Sequence, residues 1–213
     1  MKNDNTFLSF EDKAELANTI THGLGILLGL AILPVLGFKT NQQGTDYQLL
    51  GVIIFSFSWF LVYTASTVYH AVRNPKYHKV LKTIDHIAIY FLIAGTYTPF
   101  LLFYAPDEGI PLLIFQWSLV AIGIFFKLFF VYRFEWLSLV VYLIMGWSII
   151  IMPGTFWEGM PDQVTFWLIA GGVSYTAGII FYASKRIPYA HAIWHIFVLG
   201  GSICHYLALL KGL

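Results

Sequence analysis

The sequence has little charge and almost no cysteine. Of its 213 residues, 11% are charged, against about 25% in an ordinary soluble domain. Too few charged side chains remain to cover a water-exposed surface, which excludes a disordered chain, a soluble enzyme domain and a nucleic-acid-binding protein. The single cysteine, Cys204, excludes an intramolecular disulfide and the zinc sites built on cysteine. Any metal site in this chain must therefore use histidine and carboxylate side chains.

Apolar residues are what the sequence has in excess. They make up 58% of the chain, and the mean hydropathy is +0.73. A helix needs about 20 apolar residues to cross a bilayer core about 30 Å thick. Seven such runs are present, at residues 19–38, 47–71, 84–104, 111–132, 136–152, 164–183 and 189–210. We predict an all-α integral membrane protein, with a single seven-helix bundle at residues 17–213 and an amphipathic, retained lead-in at residues 1–16.

Basic residues are distributed unevenly between alternate linkers of the predicted bundle. Loops on the cytoplasmic side of a membrane carry an excess of Lys and Arg. With the N-terminus inside, the cytoplasmic segments hold Lys2, Lys13, Arg73, Lys76, Lys79, Lys82, Arg133, Lys185 and Arg186, and the outer segments hold Lys39 and Lys211. Lys127 lies near the cytoplasmic end of the fourth helix. We predict a cytoplasmic N-terminus and a C-terminus outside.

Polar side chains within the predicted helices fall at one depth. The first, third and seventh helices begin at the cytoplasmic side and the second ends there. These helix ends carry Glu15, Asn18, His22, Ser66, His70, Asp85, His86, His191 and His195. Ionisable groups inside a membrane are costly and usually mark function. We therefore predict a functional polar layer close to the inner leaflet.

The histidine spacing predicts a metal site in this layer. His191 and His195 are four residues apart and so share one helix face. Two imidazoles one turn apart can bind a single ion, and a third imidazole plus water completes the open pattern of a catalytic zinc site. His70 is the best third ligand. Zinc is favoured over copper or nickel because the sequence shows neither a thiolate ligand nor a square-planar pattern.

Less specific roles stay open for several residues. Asp85 can instead cap a helix, and Ser66 can bond to a carbonyl of its own helix. His22 and His86 are either partners of the zinc ligands or spectators, and His22 in place of His70 is the alternative ligand. We expect His78 to be solvated in a basic loop. His205, about 15 Å beyond His195 along the helix, is expected at the outer interface.

Four segments resemble a known family. They are Glu15-Leu-Ala-Asn18-Thr-Ile-Thr-His22-Gly, Ser66-Thr-Val-Tyr-His70, Asp85-His-Ile with Gly95-Thr-Tyr-Thr-Pro99, and His191-Ala-Ile-Trp-His195. In their order and helix positions, these segments resemble the hemolysin III proteins. Those proteins are the bacterial branch of the progestin and adiponectin receptor family, which is related to the alkaline ceramidases.

The resemblance implies a zinc site and a place for it in the cell. It implies that His70, His191 and His195 bind zinc, that Asp85 holds a zinc-bound water, and that Ser66 lies beside it. It also implies a multi-pass protein of the bacterial inner membrane, with its helices around a cavity for a lipid chain. Around the ligands we expect the remaining members of the polar layer: Glu15, Asn18, His22 and His86.

Three functions are compatible with these expectations. The first is a zinc-dependent hydrolase of a lipid amide or ester, ceramidase-like and active in membrane lipid homeostasis. In it Asp85 is the general base and Ser66 donates to the developing oxyanion. The second is a receptor-like membrane protein with structural zinc, and the third is a cytolytic protein. A transporter is the least favoured, because the polar layer is confined to one side. In each case we expect membrane lipid, and no nucleic acid, as the partner.

Overall fold

A computed structural model describes residues 9–184 and 186–213, and the regular structure of these residues is helical throughout. The first eight residues of the predicted lead-in, with Lys2, and also Lys185, lie outside the described part of the chain. The helices are α1 (Phe10–Gln43), α2 (Asp46–Ala71), α3 (Pro75–Tyr104), α4 (Ile110–Phe130), α5 (Glu135–Trp147), α6 (Gly154–Glu158), α7 (Asp162–Tyr182) and α8 (Ala190–Gly212). A 3₁₀ turn, Ser148–Ile151, continues α5.

The described helices confirm the predicted membrane bundle. Six of them, α1, α2, α3, α4, α7 and α8, are long and apolar enough to cross a bilayer. The remaining predicted span is a shorter apolar segment, Glu135–Ile151, made of α5 and its 3₁₀ turn. The short helix α6 lies in the linker between α5 and α7.

Two helices begin earlier than the hydrophobic runs predict. In α1, Ser9 accepts from the backbone N–H of Asp12 and the Asp12 carboxylate accepts from Ser9, which forms a capping box. The helix then runs from Phe10 past residue 17 without a break. In α3, Asn74 caps the helix and Pro75 occupies its first turn. The linker predicted at residues 73–83 is therefore mostly helix, and His78 is an exposed residue of α3 in contact with Tyr69.

Close packing of α1 against α2 depends on two glycines. Gly25 lies against the ring of Tyr63, and Gly29 against the indole of Trp59. The Trp59 Nε1–H donates to the Gly25 carbonyl at 2.8 Å, which is possible because no side chain separates the two helices there. The Gly-x-x-x-Gly pair of α1 thus serves packing within the bundle.

The helix order places the polar layer at one end of the bundle. Helix α1 packs against both α2 and α8, and α2 packs against α3. Because short linkers join antiparallel neighbours, the starts of α1, α3 and α8 lie beside the end of α2. These four helix ends surround a common space. This is the predicted cytoplasmic end of the molecule.

Candidate metal centre

Three histidines from two helices meet at this end. One ring nitrogen from each of His70, His191 and His195 lies within 4.8 Å of the other two. The ring centroids of His191 and His195 are 4.5 Å apart, and that of His70 lies 5.1 Å from each of them. We call these residues the histidine cluster. Its nitrogens are close enough to bind one metal ion, as the spacing of the sequence predicts.

Two nitrogens of the histidine cluster are buried without a partner. They are the Nε2 atoms of His70 and His195. Leaving a buried polar atom unsatisfied costs about 1–3 kcal/mol, and a metal ion would satisfy both atoms at once. Neutral imidazole is a good ligand for zinc. The donor set therefore fits the zinc ion that the sequence predicts.

Helix α1 holds the opposite edge of the His70 ring. The Nδ1 atom of His70 lies 2.6 Å from the Glu15 carboxylate and 3.4 Å from the Asn18 amide nitrogen. A carboxylate that accepts from the far nitrogen of a ligand fixes its tautomer and raises its basicity. With the proton on Nδ1, the lone pair on Nε2 is free for a metal. Glu15 thus lies where a carboxylate can support His70, and the Asn18 amide nitrogen, which can only donate, lies beside this pair without an acceptor at the protonated Nδ1.

Thr21 supports His195 in the same way, and sequence reasoning missed it. Its hydroxyl donates to the Ala17 carbonyl at 2.9 Å and lies 3.1 Å from Nδ1 of His195. The hydroxyl oxygen can therefore accept a hydrogen bond from Nδ1–H, which again leaves Nε2 of His195 for a metal. The one available signal was the position of Thr21, three residues after Asn18. Helical threonines commonly bond to their own backbone, so that signal is weak.

Asp85 and Ser66 lie together beside the histidine cluster. Both are buried, at 7% and 1% exposure. Ser66 precedes His70 by one turn of α2, and its hydroxyl lies next to the Asp85 carboxyl, which is also near His70. The capping alternative for Asp85 is wrong, because α3 begins ten residues earlier, at Pro75. A buried carboxyl within a membrane helix needs another reason to be there.

The two ambiguous histidines have different surroundings. The ring of His22 lies 3.7 Å from that of His195 by centroids, and both its nitrogens are buried without a partner. His22 thus packs against His195 and, among the described residues, does not belong to the group of metal-binding size. His86 faces a cavity that Asp85 and His191 also line. Its backbone carbonyl accepts from the Tyr142 hydroxyl at 3.0 Å.

The cavity extends from the histidine cluster deep into the bundle. Its empty space, including the open mouth, is about 1190 Å³. Beyond Asp85 and His191 its lining is largely apolar and aromatic, including Tyr97 and Trp147. The far end reaches His205, whose Nε2–H donates to the Leu168 carbonyl at 3.2 Å. At 5% exposure, His205 lies inside the bundle, and its expected place at the outer interface is wrong.

Comparison with known proteins places the chain in a family. Residues 10–206 match the family described as Haemolysin-III related. The chain belongs to this family. It is 45% identical over 204 residues to the Hemolysin-3 homolog of Bacillus subtilis (strain 168), a match that covers 94% of this chain and 95% of the relative. It is 44% identical over 191 residues to Hemolysin-3 of Bacillus cereus, with coverage of 89% and 87%.

The haemolysin-III-related chain also has a more distant human relative. It is 30% identical over 209 residues to the human Monocyte to macrophage differentiation factor, with coverage of 92% of this chain and 82% of the relative. This match fits the predicted link between the bacterial proteins and the progestin and adiponectin receptor family. No solved structure matches the chain.

Proposed function

We propose that this haemolysin-III-related protein is a zinc-dependent intramembrane hydrolase that cleaves an amide or ester bond of a membrane lipid. One observation carries the proposal. The histidine cluster has two partnerless Nε2 atoms, the buried Asp85 lies near both Ser66 and His70, and Asp85 and His191 line a largely apolar cavity. This arrangement combines a metal site, a candidate base and a space for an acyl chain.

The residues of the site fit the steps of hydrolysis. His70, His191 and His195 would hold the zinc ion, which would supply Lewis-acid polarisation of a carbonyl group and a bound water with a pKa of about 7. Asp85 accepts the proton of the attacking water and returns it to the departing amine or alcohol. The Ser66 hydroxyl donates to the carbonyl oxygen while negative charge develops on it. Glu15 and Thr21 hold two imidazoles in the required orientation.

The depth of the site suits a lipid linkage. The histidine cluster lies where α1 and α8 begin, at the predicted inner leaflet, and the cavity leads away from it toward the bilayer centre. A lipid whose chain fills the cavity therefore has its head-group linkage near Asp85. The acyl chain fixes the position of the substrate in the cavity. The bond that is cleaved is the one at the carbonyl group that joins this chain to the head group.

The test is an Asp85→Ala variant assayed for fatty acid release from a panel of ceramides and lysophospholipids. We expect activity to fall by about 100-fold or more, the usual effect of a lost general base, while zinc content stays at the parent level. Asp107→Ala is the control, because Asp107 is exposed in the linker between α3 and α4. Equal activity in Asp85→Ala and in the parent would contradict the proposed role of Asp85 as the general base.

A second candidate function, a receptor-like protein with structural zinc, has one observation in its favour. The histidine cluster joins α2 to α8, whereas α2 packs mainly on α1 and α3, and α8 packs mainly on α7. A metal there connects two parts of the bundle. This candidate expects no lipid turnover under any condition, and measured turnover would count against it.

A further inference from the structure

A lysine inside the bundle has no role in the proposed reaction. Lys127, on α4, is 0% exposed, and its Nζ atom has no hydrogen-bond partner. Lysines near a helix end normally extend to the membrane surface. Lys82 is partly exposed and pairs with Glu135 at 2.8 Å. A buried lysine inside a membrane is costly and calls for a partner.

Two further partnerless groups lie at the same level. Tyr90 of α3 contacts both Gly123 of α4 and Tyr142 of α5, so these three positions share one layer. One turn from this layer, toward the start of α3 and α5 and the end of α4, each helix carries a polar side chain. The three side chains are His86, Lys127 and Ser138.

These three side chains share an unusual property. Each has a buried atom without a hydrogen-bond partner, namely Nδ1 of His86, Nζ of Lys127 and Oγ of Ser138. We call them the Lys127 group. Three adjacent helices thus place partnerless polar atoms in one layer.

The chemistry of the Lys127 group favours an anionic oxygen. An ammonium group has donors only, a hydroxyl can donate, and an imidazole can present an N–H. Hydrogen bonds from such donors to a charged oxygen are the strong ones. The nearby carboxylate, Glu135, is already paired with Lys82. A negatively charged group from outside the chain would therefore find unused donors.

Two members of the Lys127 group line the large cavity. His86 and Ser138 line the same cavity as Asp85 and His191, although neither belongs to the histidine cluster. If an anionic group binds there, a hydrocarbon chain attached to it can occupy the apolar part of the cavity. The binding site does not depend on a metal ion.

We propose that His86, Lys127 and Ser138 form a subsite for the anionic head of a lipid, a carboxylate or a phosphate, whose chain occupies the cavity. The subsite selects lipids by charge. It is separate from the histidine cluster and goes beyond the proposed hydrolysis. It applies equally to a lipid that is bound and not cleaved.

The test compares charged and neutral single-chain lipids on the purified full-length protein. The probes are oleate, 1-oleoyl lysophosphatidate and the neutral 1-oleoylglycerol, and affinity is measured by calorimetric titration in detergent. We expect the parent to bind at least one anionic probe about ten-fold more tightly than the neutral one, the effect of one charged hydrogen bond. The preferred anion shows whether the head group is a carboxylate or a phosphate. Competition by inorganic phosphate shows whether the head group binds without its chain.

Substitutions test whether the preference for anionic probes depends on the proposed subsite. Lys127→Met should abolish the preference for anionic probes and leave binding of 1-oleoylglycerol unchanged. Lys211→Met, at the exposed end of α8, is the matched control and should retain the preference. Equal affinities for charged and neutral probes in the parent would overturn the proposal, as would a preference that survives in Lys127→Met. If Lys127→Met does not fold, Ser138→Ala decides, and an unchanged preference in that variant overturns the proposal.

Discussion

At the scale of single residues, the candidate metal centre depends on the different roles of the two ring nitrogens in His70 and His195. The Nδ1 atoms of His70 and His195 face α1, where Glu15 and Thr21 lie 2.6 and 3.1 Å away. The Nε2 atoms of both rings are buried without partners. Among the described residues, α1 contributes no histidine to the cluster, but its contacts to Nδ1 of His70 and of His195 leave the two Nε2 atoms free for the proposed zinc ion.

We expect variants of the two α1 residues to weaken zinc binding. Glu15→Ala and Thr21→Val each remove the group that holds an Nδ1 proton. Loss of such a supporting partner typically lowers metal affinity about 10- to 100-fold. Competition with a zinc chelator of known affinity, followed on the purified protein, measures the change.

Thr19→Val is the matched control for this pair. The Thr19 hydroxyl also lies on α1 but donates to the Glu15 backbone carbonyl at 2.9 Å. Its removal should leave zinc affinity at the parent value. Parent affinity in both Glu15→Ala and Thr21→Val would show that α1 does not support the ligands.

Sequence reasoning reached some of these residues and missed others for a physical reason. The spacing of His191 and His195 and the shared depth of His70 predicted the histidine cluster. Lys127 was read only as a cation near a cytoplasmic helix end, because charge in a sequence reports topology and not burial. Its burial follows from how α4 packs against α3, which a single sequence does not show.

At the scale of helices, glycines determine how closely α1 approaches α2. A Cβ atom at Gly29 would lie 2.6 Å from Nε1 of Trp59 and 3.1 Å from Cε1 of Phe60. Gly29→Ala must therefore push buried rings aside, and overpacking of this kind costs about 1–3 kcal/mol. We expect a lower thermal midpoint in detergent for this variant.

Gly37→Ala provides the control on the same helix. A Cβ atom at Gly37 would have no neighbour within 4 Å, and alanine favours a helix over glycine by about 1 kcal/mol. Its thermal midpoint should equal or exceed that of the parent. Equal midpoints for Gly29→Ala and Gly37→Ala would contradict the packing role of Gly29.

Hydropathy predicted the helices better than it predicted their ends. Apolar runs mark where a helix crosses the hydrocarbon core, and the run at residues 47–71 matches α2 closely. They cannot mark helical turns that extend into water, because there the capping residues determine where the helix begins. The Asn74–Pro75 cap starts α3 well before its apolar run, and this extension carries Lys82 to its ion pair with Glu135.

At the scale of the whole molecule, the orientation of the bundle stays a prediction from the distribution of basic residues. Membrane-impermeant thiol labelling of intact cells tests it in a Cys204→Ser background. A cysteine at Asp107, in the exposed α3–α4 linker, should be labelled from outside. A cysteine at Lys79, exposed near the start of α3, should react only after the cells are opened. The reverse pattern would place the histidine cluster at the outer leaflet.

Removal of the metal tests how much of the bundle depends on it. Helix α2 belongs mainly with α1 and α3, and α8 belongs mainly with α7, so an ion on His70, His191 and His195 cross-links the two sides. A ligand present at 100 times its dissociation constant stabilises a fold by about 2.7 kcal/mol. We expect a chelator to lower the thermal midpoint of the purified protein and added zinc to restore it.

His191→Ala separates a site-specific effect from a general effect of the chelator. This variant should contain little zinc, and its thermal midpoint should not respond to the chelator. A fall in the midpoint is common to both candidate functions, because either kind of zinc joins α2 to α8. Only the hydrolase also predicts that zinc-loaded Asp85→Ala keeps the parent midpoint while it loses lipid cleavage. A parent midpoint that ignores the chelator, with no zinc recovered after loading, would remove the metal centre and both functions built on it.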